Sequence, residues 1–265
     1  QGLGETRPWM AVEDFDADHL FRGASDRMAA HFADVREAAS AAHIYGKRIV
    51  AAESWTGGGF EAPASMKRIG DYWNTHGINR FIFHTSAHQP LDTKPGNRMV
   101  GVHINRNITW AEQARPFVDY LSRNSYLLQQ GQFAADIAYY LGEDIPAAVP
   151  YWEKIQPAPP EGYDYDFLNT EILQQLQVSN GRLVLPSGME YKVLVLPNTQ
   201  RMSPAVLNKI NALVSQGATV IGPRPVQAQG LTDYPHSDAV VQELSAAMWG
   251  DADGKMVYEH AWGKG

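Results

Sequence analysis

An α/β protein assembled from parallel strand–helix units is what this sequence predicts, on three observations. Amphipathic helical patterns alternate with short apolar runs too brief to be helices, the order expected of parallel β/α units. The alternation occurs twice, the second time as a doubly wound, flavodoxin-like series that begins near residue 136. A proline-rich break, "IQPAPPEGYDYD", punctuates that second series without adding periodicity of its own. The two series divide the chain into residues 1–131 and 132–265.

The first helix is predicted from Ser25 as cap, through Met28, Phe32, Val35 and Ala39 at helical spacing, to Gly46. A strand over residues 48–52 follows at once. Ser65 then caps a second helix with Met66, Ile69 and Trp73 on one face and Gly77 as terminator, and "NRFIFHTSA" supplies a buried strand around Phe81 to Phe83. The stretch 84–109 is irregular and rich in histidine, proline and arginine, a composition suited to a functional loop. A helix is expected from Trp110 to Gly131, with Phe117, Tyr120, Leu121, Leu127 and Leu128 near one face and Pro116 as a possible kink.

In the second series a strand is predicted over residues 136–141 and a polar helix near 166–177. A strand over 191–197 and a helix opened by Ser203-Pro204 come next. That helix carries Val206, Leu207, Ile210, Leu213 and Val214, ends at Gly217 and hands over to the strand "ATVIG".

Composition narrows the function. Lys and Arg number 22 against 29 Asp and Glu, a net charge of −7, and no basic stripe is present, so nucleic acid is not an expected partner. No run of about 18 apolar residues occurs, which excludes a membrane-spanning helix from the expectations. The absence of cysteine excludes disulfides, zinc-thiolate sites and a cysteine nucleophile. Flat aromatic faces, from 7 Trp and 12 Tyr, suit sugar rings, though most such side chains belong to cores. The opening on Gln1 and the ending "AWGKG" read as cuts from something longer.

The chemistry concentrates in "RIVAAESWTGGG", residues 48–59. An apolar strand runs into Glu53, and small flexible residues follow it. A carboxylate at the C-terminal end of a parallel strand stands where α/β enzymes place reactive groups, and can serve as general base or nucleophile if a second carboxyl group lies across the substrate. His84 holds the equivalent position on the next strand, with His88 four residues on. Their H-x3-H spacing invites zinc, but that spacing creates one face only on a helix, so loop-bracing and cleft-lining roles stand beside it. Asp71 reads as one half of a helical ion pair. Asp164 and Asp166 lie ahead of the polar helix, which they could cap, or they could reach a neighbouring cleft. The triplet Gly57–Gly59 lacks the companions of a P-loop or dinucleotide motif, and no G-x-S-x-G elbow is present.

Taken as an ordered set, "AHIYGKRIVAAESWTG", "MKRIGDYWNTHGINRFIFHTSAHQP", "PGNRMVGVHINRNITW", "YLSRNSYLLQQGQFAADIAYYLGEDIP", "GYDYDFLN" and "LPSGMEYKVLVLP" resemble glycoside hydrolase family 106, the α-L-rhamnosidases, from about residue 20 to the last residue. The resemblance implies that residues 1–131 are the late part of a catalytic (β/α)8-type barrel and residues 132–265 a flavodoxin- or amidotransferase-like domain. It implies an inverting mechanism assisted by calcium, with ligands it does not identify. It places Glu53 as general base and His84, His88 and Trp55 among the sugar-binding side chains, with Asp166 and Asn198 as positions through which the second domain contributes.

The implied substrate is a rhamnose-containing glycoside or polysaccharide, and the implied location periplasmic or secreted. The family's acid belongs to an Asp-x-x-Glu segment more than a hundred residues ahead of the base, whereas only 52 residues precede Glu53 here. The acid and the early barrel strands are therefore expected from the remainder of the same enzyme. Two alternatives stand beside this reading: another glycosidase, such as a β-galactosidase relative, and a non-catalytic carbohydrate-binding piece.

Overall fold

The computed structural model describes residues 5–6, 26–55, 61–83, 86, 104–106, 108–144, 149–150 and 154–265. It forms two compact units. One comprises Gln1–Ala42 and Lys47–Gly131, the other His43–Gly46 and Gln132–Gly265. Both are α/β with a parallel sheet, as the alternating pattern predicts.

The first unit holds β1 (Glu5–Thr6), α1 (Asp26–Ile44, whose last two residues count with the second unit), β2 (Ala51–Ser54), α2 (Pro63–Thr75), β3 (Arg80–Phe83) and α3 (Arg115–Leu128). The strands lie in the order β1-β2-β3, all parallel. Successive side chains of a strand point to opposite faces. One face, with Val50, Ala52, Phe81 and Phe83, packs on Val35, Ala39, Met66, Ile69, Trp73, Phe117 and Leu121 from the helices. Ala51, Glu53, Arg80 and Ile82 lie on the opposite face, where Ala51 is buried. Arg80 and Ile82 are exposed and Glu53 is half-buried.

Helix starts differ from the sequence expectation for one reason. Pro63 and Pro116 both sit in the first turn, where a missing N–H costs nothing and the fixed φ favours the helix. Pro63 therefore opens α2 two residues before Ser65, which is not its cap. Pro116 opens α3 rather than kinking a helix begun at Trp110, and residues 108–113 form turns and bends. Asp71 pairs with Lys67 one turn earlier on α2, at 2.5 Å, as its spacing suggests.

The second unit contains β4 (Ile137–Tyr140), β5 (Tyr165–Leu168), α4 (Thr170–Gln175), β6 (Gln177–Ser179), β7 (Arg182–Val184), β8 (Glu190–Tyr191), β9 (Val193–Val195), α5 (Pro204–Ser215), β10 (Thr219–Ile221) and α6 (His236–Trp249). Its parallel sheet runs β10-β9-β4-β5, so counting its own strands along the chain the order is 2-1-3-4. Both faces are covered. Ala138, Tyr140, Leu168, Leu194 and Leu196 enter one buried cluster; Ile137, Tyr139, Tyr165, Phe167 and Val195 enter another.

The polar helix expected near 166–177 is a correction. Its first residues form β5, and only Thr170–Gln175 is helical, capped by Asn169, whose side chain accepts the Ile172 N–H at 2.9 Å. Asp166 thus lies within a strand and caps nothing. Ser203 caps α5 as anticipated, accepting from Val206 N. The antiparallel β6-β7-β8 sheet and α6 have no counterpart in the sequence reading.

Candidate active site

Glu53 is the third residue of β2, one place further inside a strand than the predicted 48–52 span allowed. Its strand is held from below by Asn79. The buried Asn79 side chain accepts from Val50 N and donates to Arg48 O, both at 2.9 Å, closing the entrance to β2 as an extra rung of backbone pairing would. Parallel pairing sets Glu53 opposite Ile82 and Ser54 opposite Phe83. The C-terminal ends of β2 and β3 consequently open on the same side. Glu53 is half-buried on the sheet face opposite the one packed against the helices, a setting from which its carboxylate can accept a proton from a water.

Trp55 ends this strand in an unexpected way. It is not a sugar platform: only 2% of it is exposed, its rings meet Phe81 at 5.0 Å and Phe83 at 4.8 Å, and Nε1 donates to Met66 O at 3.3 Å. This corrects the expectation that it binds substrate, because a buried indole has no face left for a sugar. Its φ is 59°, a left-handed conformation that costs a non-glycine residue roughly 1–2 kcal/mol.

His84 and His88 lie outside the described residues. Asp166 and Asn198 belong to the second unit, while Glu53 and Trp55 share the exit of β2 in the first. Asp166 is 0% exposed. One carboxylate oxygen lies 2.8 Å from His43 Nδ1 and the other accepts from Tyr191 Oη at 3.0 Å; His43 in turn stacks on Phe133 at 4.2 Å. Burial, then the adjacent Asp166, pushes the Tyr191 hydroxyl well above its ordinary pKa, so it stays protonated and donates. The expected sugar contact at Asp166 gives way to a buried structural network, since both oxygens are engaged and none reaches solvent. Asn198 is exposed in the turn that leads from β9 to α5.

Among the described residues no three His, Cys, Asp or Glu side chains converge as metal ligands. No helix among them is long and apolar enough to cross a membrane. Two residues that matter here escaped the sequence reading. Asn79 could have been found as the polar residue directly ahead of "RFIF", but His43 is 123 residues from Asp166 and nothing in the local sequence marks the pair.

Known proteins resemble this chain over most of its length. The profile of glycoside hydrolase family 106, described as alpha-L-rhamnosidase, matches residues 17–265. The chain is 43% identical over 215 residues to a Formosa agariphila protein provisionally named beta-glucuronidase, covering 80% of this chain. A rhamnosidase structure from Novosphingobium sp. PP1Y superposes with a TM-score of 0.76 at 37% identity over 88% of this chain. The chain spans 18% of the Formosa relative and 23% of the Novosphingobium chain.

Proposed function

Because the chain belongs to glycoside hydrolase family 106, we propose that it carries the general base of an inverting glycosidase that removes terminal α-L-rhamnosyl residues. The observation that carries this is the placement of Glu53: half-buried, near the C-terminal end of a parallel strand, on the sheet face opposite the helix-packed one. Inversion needs a carboxylate that deprotonates a water beneath the anomeric carbon, across roughly 6.5–9.5 Å from an acid that protonates the leaving oxygen. Glu53 is the first of these. The second comes from the rest of the enzyme, which also completes the sheet.

The parallel order β1-β2-β3 with helices on one face supports a segment of a (β/α)8 barrel, whose interior would receive Glu53. The 2-1-3-4 order of the second sheet supports a flavodoxin-like domain. His84, directly after β3, and His88 keep their proposed place as sugar contacts, as does the exposed Asn198. Asp166 and Trp55 do not.

Glu53→Gln in the full-length protein tests the assignment. The expected result is a kcat on an aryl α-L-rhamnoside lowered about 10²–10⁴-fold with KM nearly unchanged, since the amide keeps the shape and loses the basicity. Near-normal kcat would remove Glu53 from the mechanism. Calcium rests on the resemblance, and no step above passes through it; dialysis against a chelator should abolish turnover and added calcium restore it, whereas full activity after chelation would end that part of the proposal. A second reading, a uronic acid as the sugar removed, is favoured by the name of the Formosa relative. Parallel assays with aryl rhamnosides and aryl glucuronides decide between them.

A further inference from the structure

Gly57, Gly58 and Gly59 follow the candidate base closely in sequence, and glycine takes a positive φ without steric cost. Yet Trp55, two residues after Glu53, is itself left-handed, with φ 59°. A bulky L residue holds that conformation only where its surroundings compel it. The surroundings here are specific. The indole is buried among Phe81, Phe83 and Phe117, with ring centroids 5.0, 4.8 and 6.2 Å away, and it donates to the backbone of Met66 in α2. Gly70 makes room for the cage: a Cβ there would stand 3.3 Å from the Phe81 ring and 3.5 Å from the indole. Phe81 and Phe83 flank Ile82, the residue paired with Glu53. One side chain therefore ties the exit of β2 to α2, to α3 and to both neighbours of Glu53's partner on β3.

We infer that Trp55 is a positioning residue for Glu53: its caged indole enforces the left-handed turn that fixes the direction in which the carboxylate leaves the strand. The inference rests on Glu53 being the base. Trp55 touches no substrate, and its burial is what gives it leverage. Displacing a reacting group by about 1 Å costs on the order of 10²-fold in rate, and loss of the cage releases the backbone two residues from the carboxylate.

The test is a double-mutant comparison in the full-length protein, read on an activated aryl α-L-rhamnoside. Trp55→Ala should lower kcat roughly 30–100-fold with KM within about threefold, and Trp55→Phe, which keeps most of the cage and loses only the N–H bond, should recover to within about fivefold of the parent. In a Glu53→Gln background the same two changes should alter the residual rate less than about twofold, because no base remains to be misplaced. Circular dichroism and melting curves check folding. If Trp55→Ala does not fold, Trp55→Leu, which keeps apolar volume but loses the ring contacts of the cage, takes its place in both backgrounds with the same expected and overturning results. Equal losses with and without Glu53, or a folded Trp55→Ala protein with unchanged kcat, would overturn the positioning role. Failure of the base itself shows separately, as normal turnover in the Glu53→Gln single variant.

Discussion

Glu53 and Asp166 are both carboxylates inside short parallel strands, and both strands pack against a neighbour in register, yet the two side chains have opposite fates. Glu53 lies on the face of its sheet opposite the helix-packed one and is half-buried. Asp166 lies in a sheet covered on both faces and is wholly buried, with His43 and Tyr191 on its two oxygens. A charge removed from water must be paired or hydrogen-bonded, so the covered sheet converts its carboxylate into part of the core, while the half-buried Glu53 keeps contact with solvent. Strand position alone does not fix the surroundings of a carboxylate; what packs against it does.

Exchanging each carboxylate for a neutral side chain tests that contrast most sharply. Glu53→Gln should cost about 3–5 kcal/mol in transition-state stabilisation and almost nothing in the unfolding midpoint. Asp166→Ala should show the reverse emphasis, losing about 3 kcal/mol of stability by urea denaturation because it strands His43 and the Tyr191 hydroxyl without a partner. An Asp166→Ala protein of unchanged stability would contradict the structural role given to that network. A smaller effect is expected at Asn79. Removing its side chain leaves Val50 N buried without an acceptor, so Asn79→Ala should cost about 2 kcal/mol, with a measurable fall in kcat if the entrance of β2 also steadies Glu53. Unaltered stability in that variant would show that backbone pairing alone holds the strand.

Much of the architecture was legible because it is written in local periodicity. Met66, Ile69 and Trp73 recur at helical spacing and are all buried on α2, and Val206, Leu207, Ile210 and Leu213 do the same on α5. The misreadings have local causes as well. Asp166 disguised β5, since a carboxylate in a fully buried strand contradicts the usual apolar run and makes sense only with His43 and Tyr191 beside it. The β6–β7 hairpin was overlooked although Asn180-Gly181, both at positive φ, is the strongest short signal for such a turn. Pro116 looks like an interruption in sequence, but its place in the first turn makes it an initiator.

At the candidate site the division is similar. Glu53 could be chosen from its sequence because an apolar run ending in a carboxylate and small residues is a local pattern. Trp55 could not be assigned correctly, since an aromatic residue beside a carboxylate looks the same in sequence whether it faces a sugar or a core. The strand, the carboxylate at its end and the order of elements were determined by the sequence itself, because hydrophobic spacing and turn residues act over a few positions along the chain. Which sheet face packs on the helices, that Asp166 meets a histidine 123 residues away, and that Trp55 is caged by β3 and two helices were decided only in the tertiary structure. Burial is a property of what packs from elsewhere in the chain, and the free energy of a polar or strained residue depends on it.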